Sequence, residues 1–268
     1  MGKIIAVANQ KGGVGKSTTV VNLGAYIGSR GKRVLCVDID PQGNTTTGFG
    51  IRKKSISYSA YDVLIGKCRI HDAILRTDFE NVSILPANEG LVGAELEISG
   101  MENRAQRLKM QLLTCKLDYD YILVDCPPTL GLITLNALVA ADSVLIPMLA
   151  EYYALEGFSQ LINTIKIVNT NYNPSLDIEG ILFTMFDERL NLSKDVVAEV
   201  EKYYPDKVFD TKIPRNVRIS EAPSHGKPVM YYDKASKGTE FYEFLGCEVL
   251  KETPVQQKKK RGLFSRKK

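Results

Sequence analysis

One short segment constrains this chain more than any other: Gln10-Lys11-Gly12-Gly13-Val14-Gly15-Lys16-Ser17-Thr18. An apolar run, residues 4–8, precedes it, and a stretch of helical period, residues 17–29, follows. Strand, glycine loop and helix in that order form a phosphate cradle. Small residues let successive backbone N–H groups approach phosphate oxygens, and the next helix points its positive end at them. In such a loop Lys16 reaches the β- and γ-phosphates of ATP, Ser17 gives its hydroxyl to Mg2+, and Thr18 meets the α-phosphate. The general pattern G-x-x-x-x-G-K-[ST] is met only in its second half. Gln10 stands where the first glycine belongs, and Lys11 is an added cation.

The rest of the chain repeats the alternation that this loop begins. Residues 33–37, 82–85, 121–124, 143–147 and 180–185 are short, nearly continuous apolar runs rich in β-branched side chains. Such runs fit strands buried on both faces of a parallel sheet. Helical spacing fills residues 132–141, 155–169 and 193–204, with Pro205 ending the last. The pattern predicts an α/β fold: a doubly wound, mostly parallel sheet flanked by helices, over one domain of residues 1–250.

Two predicted strands end in acids, Asp38-Ile-Asp40-Pro-Gln-Gly-Asn and Asp125-Cys-Pro-Pro. Ligands of open parallel sheets sit at the carboxyl ends of strands, so Asp38, Asp40 and Asp125 are expected to converge on the phosphates. One acid would orient the attacking water; Asp125 would hold Mg2+ through water. For Asp38, a role confined to capping the strand end stays open.

Composition narrows the setting. Five cysteines at 36, 68, 115, 126 and 247 form no C-x-x-C pair, and the only histidines are His71 and His225. Structural zinc is not expected, and the thiols read as free in a reducing compartment, with Cys36 in the core. No apolar run reaches about 18 residues, so a membrane span is not expected. The formal charge of +4 conceals a division. Residues 251–268 hold eight Lys or Arg and one acid, which leaves 27 basic against 30 acidic residues before them. That polar, cationic stretch reads as a disordered tail, and an anionic partner of the body must be met by a local patch.

The two-lysine loop, residues 11–18, resembles the deviant Walker A motif of P-loop NTPases. The strand ends at 38–44 and 125–131 resemble the same superfamily. Three more stretches narrow it: Glu-Tyr-Tyr-Ala-Leu-Glu-Gly at 151–157, Thr-Met-Phe-Asp-Glu-Arg-Leu-Asn-Leu at 184–192, and Ile-Pro-Arg-Asn-Val-Arg-Ile-Ser-Glu-Ala-Pro-Ser-His-Gly-Lys-Pro at 213–228. With these the chain resembles the ParA/Soj chromosome- and plasmid-partitioning ATPases over about residues 1–250. The resemblance implies that Lys11 crosses a homodimer to touch the partner's nucleotide, that Asp40 positions the hydrolytic water, and that Pro214 and Asn216 edge the adenine. It implies that Arg189 and Arg218 bind double-stranded DNA without sequence preference, although each also reads as an ordinary solvated arginine. The implied cycle is a switch. ATP and Mg2+ close a dimer on nucleoid DNA, a centromere-bound ParB-type partner speeds a weak hydrolysis, and release follows. The expected place is the cytoplasm, on the nucleoid.

Three rivals remain at this stage. A MinD-like membrane-associated positioning ATPase shares the loop, but here only Leu263 and Phe264 offer apolar insertion in the tail. The tail reads as solvated, as an auxiliary DNA contact, or as a membrane contact. An iron–sulfur protein of the nitrogenase iron-protein type would need bridging cysteines, for which only Cys115 and Cys126 stand as candidates. An operator-binding regulator would need an N-terminal helix-turn-helix, for which the first strand at residue 3 leaves no expected room.

Overall fold

The computed structural model describes residues 2–253. The expected tail therefore lies, apart from its first three residues, outside the described residues. Seven strands build one sheet: β1 (Lys3–Val7), β2 (Val34–Asp38), β3 (Leu75–Arg76), β4 (Val82–Leu85), β5 (Tyr121–Asp125), β6 (Ser143–Leu149) and β7 (Asp177–Thr184). Their order is β3-β4-β2-β5-β1-β6-β7, parallel throughout except for the two-residue edge strand β3. The six apolar runs read from the sequence are six of these strands.

Twelve α-helices accompany them among the described residues. Before β5 come α1 (Lys16–Ser29), α2 (Asn44–Gly48), α3 (Ala60–Ile65), α4 (Ile70–Ala73), α5 (Leu91–Ser99) and α6 (Arg107–Cys115). After it come α7 (Leu132–Ala140), α8 (Ala154–Asn171), α9 (Asn191–Tyr203), α10 (Val217–Glu221), α11 (Val229–Tyr232) and α12 (Lys237–Leu250).

The strand period of two distributes the core. Ile4, Ala6 and Ala8 point into the apolar layer shared with α5, α6, α7 and α8, whereas Ile5 and Val7 point into the layer shared with α1 and α12. All five are essentially inaccessible to water. Burial on both faces is why these runs carry no polar alternation. From β1, the chain crosses β5 by way of α1 to reach β2; from β5 it crosses β1 by way of α7 to reach β6. Right-handed crossovers in opposite directions place α1 and α7 on opposite faces. They also open a crevice at the carboxyl ends of β1 and β5, where such sheets take ligands.

No helix among the described residues is long and apolar enough to cross a membrane. All five cysteines are free. Cys115 and Cys126 are packed in the core, so neither reaches a surface where it could bridge a cluster between subunits.

Candidate nucleotide site and basic face

The glycine loop leaves β1 under tight restraint. Asn9 donates its amide to the Pro147 carbonyl at 2.7 Å and accepts from the Lys11 N–H at 2.9 Å. Gly13 and Gly15 take φ of +72° and +85°, the left-handed region that favours glycine, and Gly15 caps the start of α1. Thr184 at the end of β7 braces the loop from beneath, with its hydroxyl 2.9 Å from the Val14 carbonyl and 3.3 Å from that of Met148.

The two lysines of the loop part company. Lys16 is turned inward and 6% exposed, and its Nζ meets the Lys11 carbonyl at 3.3 Å. Burial pulls its pKa below the usual lysine range, against the raising influence of Asp125. A desolvated ammonium with a single carbonyl neighbour is short of an anion. Lys11 points away, and its Nζ pairs with Glu151 at 2.8 Å on the surface.

The loop opens on a cleft of about 470 Å3 lined by Gly12, Gly13, Gly15, Lys16, Ser17, Thr18 and Asp40, among others. Around Gly12 and Gly13 there is open space on the side where a Cβ would project. A second hollow of about 550 Å3 shares Gly15 and Thr18 with the cleft and runs to Pro214 and Asn216. Cleft and hollow are joined through Met185, a non-glycine residue at φ +49°. Glycine cradle and adjoining hollow together suit a phosphate chain attached to a base.

The three acids divide into two layers. Asp40 alone lines the cleft, its Oδ1 accepting from the Gln42 N–H at 2.9 Å. Asp38 and Asp125 lie beneath it, wholly buried and opposite one another in the β2–β5 register. Asp38 Oδ2 accepts from the Thr46 N–H and hydroxyl, both at 2.7 Å, and Oδ1 from the Asp40 N–H at 3.2 Å. Asp38 thus fixes the turn that presents Asp40, the strand-end alternative left open in the sequence, and does not line the cleft. Asp125 Oδ2 accepts from the Thr45 hydroxyl at 2.8 Å, whereas its Oδ1 is buried with no hydrogen-bond partner among the described residues. Burial first, and the neighbouring acid next, push Asp125 up to about 8. Burial also raises Asp38, to about 6, against the lowering effect of the Thr46 bonds.

Beyond β7 the chain builds a surface of mixed charge that carries several arginines and lysines. Phe186 bridges to Pro214, with its N–H on the Ile213 carbonyl at 3.0 Å. This contact brings the 187–189 turn beside the loop that leads into α10. Asn216 caps α10, its Oδ1 accepting from the N–H groups of Arg218 and Ile219. Arg189 and Arg218 both stand on this exposed surface, each in ion pairs with neighbouring acids. A groove holding Arg189 also holds Lys212, Arg215 and Lys237. None of these three was singled out in the sequence, although Arg215 lies within the 213–228 stretch. Thr184 was missed because a threonine ending an apolar strand looks like any other.

The family model for an AAA domain matches residues 2–178. Among curated relatives, the sporulation initiation inhibitor protein Soj of Bacillus subtilis (strain 168) is 56% identical over 249 residues, covering 93% of this chain and 98% of its own. Chromosome partitioning protein ParA of Myxococcus xanthus (strain DK1622) is 49% identical over 261 residues, covering 97% and 92%. Among solved structures, the cobyrinic acid a,c-diamide synthase of Mycobacterium smegmatis, with bound ADP and magnesium, superposes with a TM-score of 0.82 at 37% identity, covering 94% and 95%. These two curated relatives, with sporulation and partitioning names, match 93% and 97% of this chain. The chain belongs to the ParA/Soj family of partitioning P-loop ATPases.

Proposed function

We propose that this chain is an ATP-hydrolysing DNA-partitioning switch, in which bound ATP closes a homodimer that grips DNA without sequence preference. The observation that carries this reading is the opposed placement of Lys16 and Lys11. One loop sends one ammonium into its own cleft and the other out to the surface, where it pairs with Glu151 and a second molecule could reach it.

The residues fit ATP with Mg2+. Lys16 has only the Lys11 carbonyl within hydrogen-bond distance, the space where a Cβ of Gly12 or Gly13 would project is open, and Asp125 Oδ1 is a buried acceptor with no partner among the described residues. Ser17 would hold the metal directly and Asp125 through water, and the ion would neutralise charge on the phosphates. Lys11, Gly12, Gly13, Val14, Gly15 and Thr18 would wrap the phosphate chain, with Pro214 and Asn216 at the base. Asp40, at the rim of the cleft, would orient the attacking water, held in place by Asp38.

Lys11 must leave Glu151 to reach a partner. Both side chains are well exposed, 38% and 48%, and exposed pairs of this kind are worth about 0–1 kcal/mol. Its release therefore costs little. Arg189 and Arg218, doubled in a dimer, supply the phosphate contacts; a few cations per face give binding that weakens steeply with salt. A DNA-bound partner of the ParB type would speed hydrolysis and release the protein from the nucleoid. The M. xanthus relative, a chromosome partitioning protein, supports partition as the setting.

The test is binding to duplex DNA of arbitrary sequence, with ATP and Mg2+, with ADP, and without nucleotide. Wild-type protein should bind with ATP alone. Arg189→Ala with Arg218→Ala should weaken binding by about tenfold or more at 0.1 M salt, roughly, and flatten the salt dependence. Equal binding in all three nucleotide conditions, or no effect of the arginine changes, would refute the reading.

A further inference from the structure

We infer that Asp187, Glu221 and Asp233 are latches: they hold the two DNA-binding arginines in intramolecular ion pairs and so depress the DNA affinity of the nucleotide-free chain. The inference rests on the DNA-binding reading of Arg189 and Arg218 given above.

Arg189 projects far into solvent, yet its guanidinium is folded back on the residue two before it. Nε donates to Asp187 Oδ1 at 2.9 Å and a terminal nitrogen to Oδ2 at 2.6 Å, a fork-on-fork pair. The Arg189 N–H also bonds Asp187 Oδ1, so the acid is fixed by the turn itself. Arg189 in return holds the Asp187 carboxyl down to about 2. Arg218 is held from two sides, by Glu221 Oε2 at 2.8 Å and by Asp233 Oδ2 at 3.2 Å. Glu221 is itself positioned by the Tyr232 hydroxyl at 3.2 Å, so that acceptor does not have to be ordered by the arginine.

A guanidinium spends the same donors on a carboxylate as on a DNA phosphate. Each phosphate contact in this face must therefore displace an internal acid. By contrast, Arg215 and Lys237, on the groove shared with Arg189, have no carboxylate within ion-pair distance among the described residues. Lys212, on the same groove, has only a longer pair with Glu201 at 3.8 Å, so the short pairs fall on Arg189 and Arg218. A single copy is left with its strongest bidentate donors engaged, and two copies joined together supply enough contacts to overcome the same acids.

The test uses the full chain with Asp187→Asn, with Glu221→Gln plus Asp233→Asn, and with Glu188→Gln as a control for charge alone. Glu188 is an exposed acid on the same groove that is paired with neither arginine. Asparagine keeps the acceptor for the Arg189 N–H, so the turn is conserved. Binding to a short duplex of arbitrary sequence is measured by fluorescence anisotropy over a salt series, without nucleotide and with ATP and Mg2+. Release of each arginine should strengthen nucleotide-free binding by about two- to fivefold, the range that exposed ion pairs span. The salt slope should steepen by about one unit per arginine. Glu188→Gln should give a smaller gain and no change of slope. Unchanged or weaker nucleotide-free binding in the latch variants, or an equal gain from Glu188→Gln, would overturn the inference. Failure of the underlying reading looks different: wild-type protein with ATP would then be insensitive to Arg189→Ala and Arg218→Ala.

Discussion

Asp38 and Asp125 stand side by side in the sheet register, one ending β2 and the other ending β5, with both carboxyl groups entirely withdrawn from water. Thr45 and Thr46, the second and third residues of α2, each give a hydroxyl to one of them. Two adjacent threonines thus tie the Asp40 turn to the floor of the cleft. The cost is electrostatic, because two neighbouring buried acids resist being charged together.

That cost sets a pH dependence. The folded-state values of the pair, about 6 and about 8, lie above the ordinary 3.8. The folded chain therefore holds protons that the unfolded chain has released, and stability falls as pH rises from about 4 through about 8. Asp125→Asn removes the larger contribution. The nucleotide-free variant should show a shallower loss of melting temperature across that range than the wild-type protein, while hydrolysis is abolished. Parallel melting curves at every pH would contradict this assignment.

Lys16→Ala separates binding from stability. ATP affinity should fall by about 10- to 100-fold, the loss expected for hydrogen bonds to a charged group. Nucleotide-free stability should not fall with it, since the variant also removes an ammonium whose burial outweighs the pull of Asp125. Titration calorimetry and thermal denaturation of the same sample check both halves.

Thr184→Val keeps the shape of the side chain and deletes the hydroxyl that meets the Val14 and Met148 carbonyls. The site is 3% exposed, so no water replaces those bonds. A loss of about 1–3 kcal/mol in chemical denaturation is expected. Nucleotide should bind more weakly as well, because the glycine loop loses its brace. Loss of stability with unaltered nucleotide affinity would limit Thr184 to a structural role.

Much of this was readable from residue types. Six of the strands are β-branched runs buried on both faces, and their limits in the structure fall within about three residues of those read from the sequence. The helices α1, α7, α8 and α9 follow apolar spacing in the same way. β3 escaped because two residues, Leu75 and Arg76, make no pattern. α12 escaped because its packing depends on a remote contact: Tyr26 lies against Gly246, and its hydroxyl is 3.1 Å from Cys247 Sγ. Within the site, Lys16, Ser17 and Asp40 were legible by motif. For Asp38 the sequence left two roles open, because burial beneath Thr46 is decided by how α2 folds back. The pair of Arg218 with Asp233 was equally hidden, since the two are fifteen residues apart in the chain.

The division of labour between the two lysines is most directly tested by the solution mass of Lys11→Ala, measured by light scattering with ATP and Mg2+. Wild-type protein should double its mass on ATP and remain a monomer on ADP. Lys11→Ala should bind ATP with near wild-type affinity and stay a monomer, because its own cleft is served by Lys16. An ATP-dependent dimer of Lys11→Ala, as abundant as that of the wild-type protein, would contradict a role for Lys11 across the interface.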